Sequence, residues 1–267
     1  MGDVADWWTT GITRIEPGVI EHRGHPVQSL IGRTTFPEMI WLLLRGSLPS
    51  RKQAGLLEAA LVASTDHGPQ APSIAIARMA ATCGIGLNSA VASGVNVLGD
   101  VHGGAGEQCM AVLADCIALH DGEHLDWTEA GRRIVANHLA QDQYVPGFGH
   151  RFHPRDPRRD PLLQLVTMAR DEGTVRGEHL EAALAVEAAL QVPGRRGVPM
   201  NIDGATAVIY GELGFEPALA RGLFLLSRSV GILAHAWEES QSGQRIKGPI
   251  PPTILPTYNG EPALSAD

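Results

Sequence analysis

Apolar residues spaced three and four apart recur through most of this chain, the mark of helices that bury one face. The spacing predicts helices over residues 36–44, 54–63, 75–81, 111–119, 180–190 and 219–237, and the AVIYGEL pattern suggests a further one over 207–213. Strand-type alternation is scarce. Turn-forming residues punctuate the periodic runs at 46–50, 68–72, 121–123, 146–161 and 193–199. An all-α fold follows. Residues 248–262 hold five prolines and read as an extended tail, lying over their own subunit or reaching toward another. No internal repeat or low-complexity block stands out.

Composition narrows the class. With 267 residues, 44 % of them hydrophobic, the chain can bury a large core in one or two domains. The formal net charge of -8 argues against a nucleic-acid partner, which needs a broad basic face. Cys83, Cys109 and Cys116 form neither a CxxC pair nor an even disulfide framework, which fits a reducing cytoplasm. The stretch MGDVADWWTTGI lacks a basic start followed by an apolar core, and no apolar run approaches the ~20 residues that span a bilayer, so no membrane partner is expected. Neither a GxxxxGK[ST] loop nor a Rossmann fingerprint occurs, which leaves out P-loop ATP binding and a nicotinamide cofactor.

Against that acidic background, positive charge is concentrated in VPGFGHRFHPRDPRR, residues 145–159. Pro146, Gly147, Gly149, Pro154 and Pro157 oppose a continuous helix here and shape a loop. Arg151, Arg155, Arg158 and Arg159 lie within nine residues and have the fork geometry that suits carboxylate or phosphate. The plainer reading is a solvated loop that pairs with Asp156 and Asp160.

Two other segments carry chemistry. In GDVHGGAGE, His102 precedes a Gly-Gly pair and an Ala-rich run that reads as a helix. At a helix entrance the positive potential disfavours imidazolium, leaving a neutral N–H able to donate to a carbonyl oxygen as negative charge develops. A histidine satisfying a loop carbonyl is the alternative. In NIDGATA, Asn201 or Asp203 can cap the following helix, and Asp203 could instead remove a proton from carbon beside a hydrophobic wall.

Taken together, PGFGHR with DPR, then NIDG, and HGGA before them resemble the citrate synthase superfamily in order and interval. The likeness extends through FPEMIWLLLRGSLPS, DHGPQAPS and ARGLFLLSRSVGILAHAWEE. The compact length, GHRFHPRDPR and the terminal RIKGPIPP look more like the short citryl-CoA lyase type and the citrate-synthase-like module of ATP-citrate lyase.

The resemblance implies a large helical domain, residues 1–104 and 209–267, with a small helical domain, 105–208, inserted and the active site in the cleft. It implies Asp203 as the base that takes a methyl proton from acetyl-CoA, His102 as donor to the thioester oxygen, and His150 as the group that polarises the ketone of oxaloacetate and protonates the alkoxide. His67, Arg158 and Arg228 would hold the 2-oxo acid, with Arg245 or Lys247 standing in for a C-terminal arginine that is here Gly248. Coenzyme A would lie against backbone groups of Val145, Pro146, Gly147, Phe148 and Gly149, with Arg151 and Arg155 near its phosphates. Citryl-CoA lyase activity follows, with citrate or methylcitrate synthase as the alternative and an inert citrate- or acyl-CoA-binding protein as the reading from another class. A cytoplasmic homodimer or higher homo-oligomer is expected. No metal is expected: the His22/His25 and His120/His124 pairs lack a third ligand at suitable spacing.

Overall fold

Helix boundaries are set by local chemistry. Thr35 caps the helix Phe36–Arg45 through a reciprocal box with Glu38, and Gly46 ends it in a left-handed conformation, φ 83°. Ser50 and Gln53 make the same box at the start of Arg51–Ser64. In both, side chains satisfy N–H groups that a helix start leaves orphaned.

The computed structural model describes residues 4–191 and 197–262. In chain order the helices are α1 (Val4–Trp7), α2 (Val27–Leu30), α3 (Phe36–Arg45), α4 (Arg51–Ser64), α5 (Pro72–Ala81), α6 (Leu87–Val95), α7 (Ala105–Gly122), α8 (Trp127–Ala140), α9 (Arg159–Asp171), α10 (Glu178–Ala189), α11 (Ile202–Glu212) and α12 (Pro217–Gln241). Each predicted helix is present, and the fold is mostly helical. The turn expected at 193–199 lies partly outside the described residues.

Three differences from the expected elements have physical causes. A small antiparallel sheet, β1 (Thr13–Glu16), β2 (Val19–His22) and β3 (His25–Pro26), precedes the helices. Its first turn is Pro17-Gly18, with Gly18 at φ 77°, a pairing that reverses the chain in two residues. Next, α9 begins inside the stretch read as turn, because Pro161 sits in the first helical turn, where the missing N–H is harmless. Finally, α7 runs through Asp121 to Gly122, and His120 near its end donates from Nδ1 to the Leu125 carbonyl, 2.6 Å away, and stacks on Trp127.

Packing divides the chain into two units. One joins the residues up to Thr65 with Asp100–Ser227; the other joins Asp66–Gly99 with the chain from Arg228. The junctions expected near 104 and 208 both fall inside the first unit. There one continuous core runs from Ile40 through Cys109, Val166 and Ile209 to Leu223. Within it α11 packs against α4, α7, α9 and α10, so residues 204–211 are buried on every side. The second unit has a smaller core of Ala71, Ile74, Ala77, Ala90, Ile232 and Ala236.

By length and mean hydropathy (1.3), α12 could cross a bilayer, which run length alone did not suggest. It instead gives Leu223 to the core of the first unit and Ile232 to that of the second, and it carries Arg228 buried at 5 % exposure.

Candidate active site

The glycine loop, 145–149, is seated by backbone bonds. Asn201 N–H donates to the Gly147 carbonyl at 3.0 Å, and Gly149 N–H donates to the Pro199 carbonyl at 2.7 Å. Phe148 and Met200 form an isolated antiparallel bridge between the same stretches. Gly147 has φ 86°, and a Cβ there would stand 2.5 Å from Cys109 Sγ and 3.0 Å from Gly204 Cα. Both conformation and space therefore demand glycine. The loop that ends in His150 is thus pressed between α7 and the first turn of α11.

Asn201, not Asp203, caps α11. Its side-chain oxygen accepts from Asp203 N–H at 2.9 Å and Gly204 N–H at 3.2 Å, while its amide donates to the Gly149 carbonyl at 2.6 Å. One side chain therefore starts the helix and ties the loop to it. Asp203 follows two residues on, half-buried. Its charge is felt by two groups with almost no access to water: burial, and then Asp203, push the Cys109 thiol and the Tyr210 phenol upward from their ordinary values.

His102 lies in the turn before α7. Gly103 has φ 102°, and a Cβ on Gly104 would come within 2.7 Å of the Asp100 carbonyl oxygen, so neither glycine of the pair tolerates a side chain. In the first turn of α7, a Cβ on Gly106 would stand 3.9 Å from the Asp203 carbonyl oxygen. The helix entrance behind His102 thus adjoins the helix entrance carrying Asp203, and the segments bearing His102, His150 and Asp203 meet in one unit.

The His150 ring has a fixed role. Its Nδ1 lies 3.0 Å from both Phe152 N–H and His153 N–H, so it accepts, and the proton of the neutral ring sits on Nε2. Burial lowers the His150 value, nearby His153 and Arg158 lower it further, and Asp156 opposes them. A neutral imidazole presenting Nε2–H can donate to a ketone or alkoxide oxygen.

The arginines are largely engaged within the protein. Arg158 forks onto Asp156, Nε to Oδ1 at 2.9 Å and Nη2 to Oδ2 at 2.8 Å, and Asp156 Oδ2 also accepts Ile202 N–H at 3.1 Å. Burial alone would raise the Asp156 carboxyl, but the Arg158 side chain and backbone and the Ile202 N–H hold it below the usual range. The Asp156 carboxylate thereby fastens the DPR segment to α11, and the Arg158 guanidinium holds that carboxylate in place, in addition to any ligand role. Arg155 forks onto Asp160 at 2.9 and 2.8 Å, and Arg159 bonds Asp160 and Glu187. The plain reading of this loop, arginines pairing with Asp156 and Asp160, describes these contacts. Arg155, Arg159, Glu187, Gln191 and Pro199 line a cavity of about 460 Å³, while Arg151 is exposed.

In the second unit, His67 is half-buried in the turn before α5 and Arg228 is buried on α12. Lys247 Nζ donates to the buried Glu239 carboxylate at 2.9 and 3.0 Å, whereas Arg245 is exposed. Of the two stand-ins for the C-terminal arginine, Lys247 is thus already paired. The sequence reading missed Cys109 and Tyr210 as neighbours of this site. Each is an ordinary core residue in sequence, and only packing reveals its neighbour.

Residues 51–249 match the family described as citrate synthase, C-terminal domain. Citrate synthase of Haloferax volcanii is 30 % identical over 207 residues, 77 % of this chain and 52 % of that protein. A 2-methylcitrate synthase of Mycobacterium tuberculosis is 28 % identical over 76 % of this chain and 49 % of its own. The chain therefore spans about half the length of the curated relatives it matches. Among solved structures, citryl-CoA lyase from Hydrogenobacter thermophilus superposes with a TM-score of 0.84 and 31 % identity, covering 97 % of both chains.

Proposed function

This chain belongs to the citrate synthase family, and from that premise we propose that it cleaves citryl-CoA reversibly to acetyl-CoA and oxaloacetate. The observation that carries the reading is the likeness to a citryl-CoA lyase over 97 % of both chains. The geometry supplies a chemical basis. In the condensing direction Asp203 takes the methyl proton of acetyl-CoA, and His102 N–H donates to the thioester oxygen, which becomes the enolate oxygen. The enolate carbon attacks the ketone carbon of oxaloacetate. His150 Nε2–H polarises that ketone and protonates the alkoxide as the C–C bond forms. Cleavage runs the same steps backward.

The 2-oxo acid would take its charge partners from Arg158, Arg228 and Arg245, with His67 as a further donor. Coenzyme A enters as part of the acyl substrate. Because the backbone of Gly147 and Gly149 already bonds to residues 199–201, its contacts would fall on Val145, Pro146 and Phe148, with Arg151 and Arg155 toward its phosphates. A cytoplasmic homo-oligomer, most simply a dimer, completes the proposal. A second reading, citrate or 2-methylcitrate synthase, draws on the sequence relatives and adds hydrolysis of the thioester.

Alanine at His102, His150 or Asp203 should lower the cleavage rate by roughly 10²- to 10⁴-fold while the protein remains folded. Full activity in any of the three variants would remove that residue from the mechanism.

A further inference from the structure

The turn that carries His102 is rich in glycine. Gly99, Gly103, Gly104 and Gly106 fall within eight residues, and glycine surrenders more backbone freedom on ordering than any other residue. A donor to a developing enolate, by contrast, must be held within about 0.5 Å of its productive position. Contacts to the two flanks of the turn set where its backbone stands.

Arg221, in the second turn of α12, reaches both flanks of this segment. Its Nη2 donates to Asp100 Oδ1 at 2.6 Å, and its buried Nε lies 2.5 Å from Glu107 Oε2 as an ion pair without hydrogen-bond alignment. Asp100 lies two residues before His102 and Glu107 five after it. Gln108 adds a bond from its Nε2 to the Asp100 carbonyl at 3.1 Å, and the same carbonyl oxygen would stand 2.7 Å from a Cβ on Gly104. The guanidinium fork thus closes a ring around the histidine: Asp100, the Gly-Gly turn, the first helical turn to Glu107, and back through Arg221.

We propose that Arg221 is a positioning residue that clamps the two ends of the His102 turn and holds the imidazole in its donating place. The inference rests on the proposed role of His102. It also explains why an arginine suits this position: a planar fork can bridge two carboxylates on different chain segments, which the single point charge of lysine does poorly. The Asp100 side chain is 78 % exposed, so the clamp adds little to global stability and acts on geometry.

The test is a double-mutant cycle on citryl-CoA cleavage, comparing wild type, R221M, H102A and H102A/R221M, with thermal melting as the folding control. R221M should lower kcat by about 10- to 10²-fold with little change in KM, as expected of a catalytic group displaced by up to 1 Å. In the H102A background the same substitution should cost less than about twofold, since the residue through which it acts is gone. D100N removes one arm of the clamp at an exposed position where folding is not at risk. It should reduce kcat less than R221M does and add little to R221M. Equal losses from R221M in both backgrounds, or an unchanged kcat in R221M, would overturn the clamp. Unchanged activity in H102A would overturn the role of His102 itself, a distinct outcome.

Discussion

Gly204→Ala isolates the contact on which the site depends. The φ of Gly204 is not in the left-handed region, so the effect of a methyl group there is purely one of space. An added Cβ would stand 2.5 Å from the Gly147 carbonyl oxygen and 2.5 Å from Met200 Cγ, against the 3.4 Å at which ordinary contact begins, a shortfall of about 0.9 Å on each. Met200 is fully buried and the Gly147 carbonyl is held by Asn201 N–H at 3.0 Å, so neither can retreat easily. The loop leading to His150 must therefore move by nearly 1 Å relative to Asp203. Overpacking of this kind costs about 1–3 kcal/mol, or roughly 2–12 °C in melting temperature for a unit of this size. A displacement of 1 Å between reacting groups costs up to about 10²-fold in rate. The assay is citryl-CoA turnover alongside thermal unfolding. M200A added to G204A should leave the rate low, because the carbonyl clash remains. A G204A protein that melts and turns over like wild type would refute the packing argument.

Other outcomes follow from the same geometry. With Nδ1 accepting two backbone N–H bonds and burial lowering its value, His150 should be neutral, with the proton on Nε2, throughout the pH range above its ordinary value of 6.5. Nitrogen NMR of labelled histidine should show an unprotonated Nδ1 at pH 7, and a doubly protonated ring there would contradict the assignment. Since its folded value lies below the unfolded one, His150 contributes stability that is present above pH 6.5 and lost as pH falls further. Asp156→Ala should destabilise the chain by about 2–3 kcal/mol, less than a fully buried pair because Arg158 keeps 21 % of its side chain exposed. The Asp156 carboxyl is held below its ordinary 3.8, so its contribution is full above that pH and lost as pH falls through the lower folded value. Asp156→Asn should flatten this acid limb of the stability curve, and an unaltered limb in urea titrations would exclude Asp156 as its source.

Much of the helical frame is legible in the sequence because long apolar stripes and their caps are local properties. Periodicity misses α1, α2, α6, α8 and α9: the first two are four residues each, and α9 starts inside a proline-punctuated stretch. α8 contains Gly131 because a Cβ there would meet the Ala185 carbonyl of α10 at 2.6 Å, a close helix approach that no local pattern announces. The site shows the same divide. His102, His150 and Asp203 stand out by their glycine neighbours, yet the choice between Asn201 and Asp203 as cap rests on where two side chains point. The pairing of Arg158 with Asp156 is only two residues long in sequence and was read as the plainer alternative. The reach of Arg221 to Asp100 spans more than a hundred residues and leaves no local trace.

The central claim is most directly tested by incubating the purified chain with chemically prepared citryl-CoA and resolving acetyl-CoA, oxaloacetate, citrate and free CoA by mass spectrometry, with Asp203→Ala as control. The account predicts acetyl-CoA and oxaloacetate in equal amounts, lost in the variant. Citrate with free CoA, or no turnover by the wild-type protein, would contradict it.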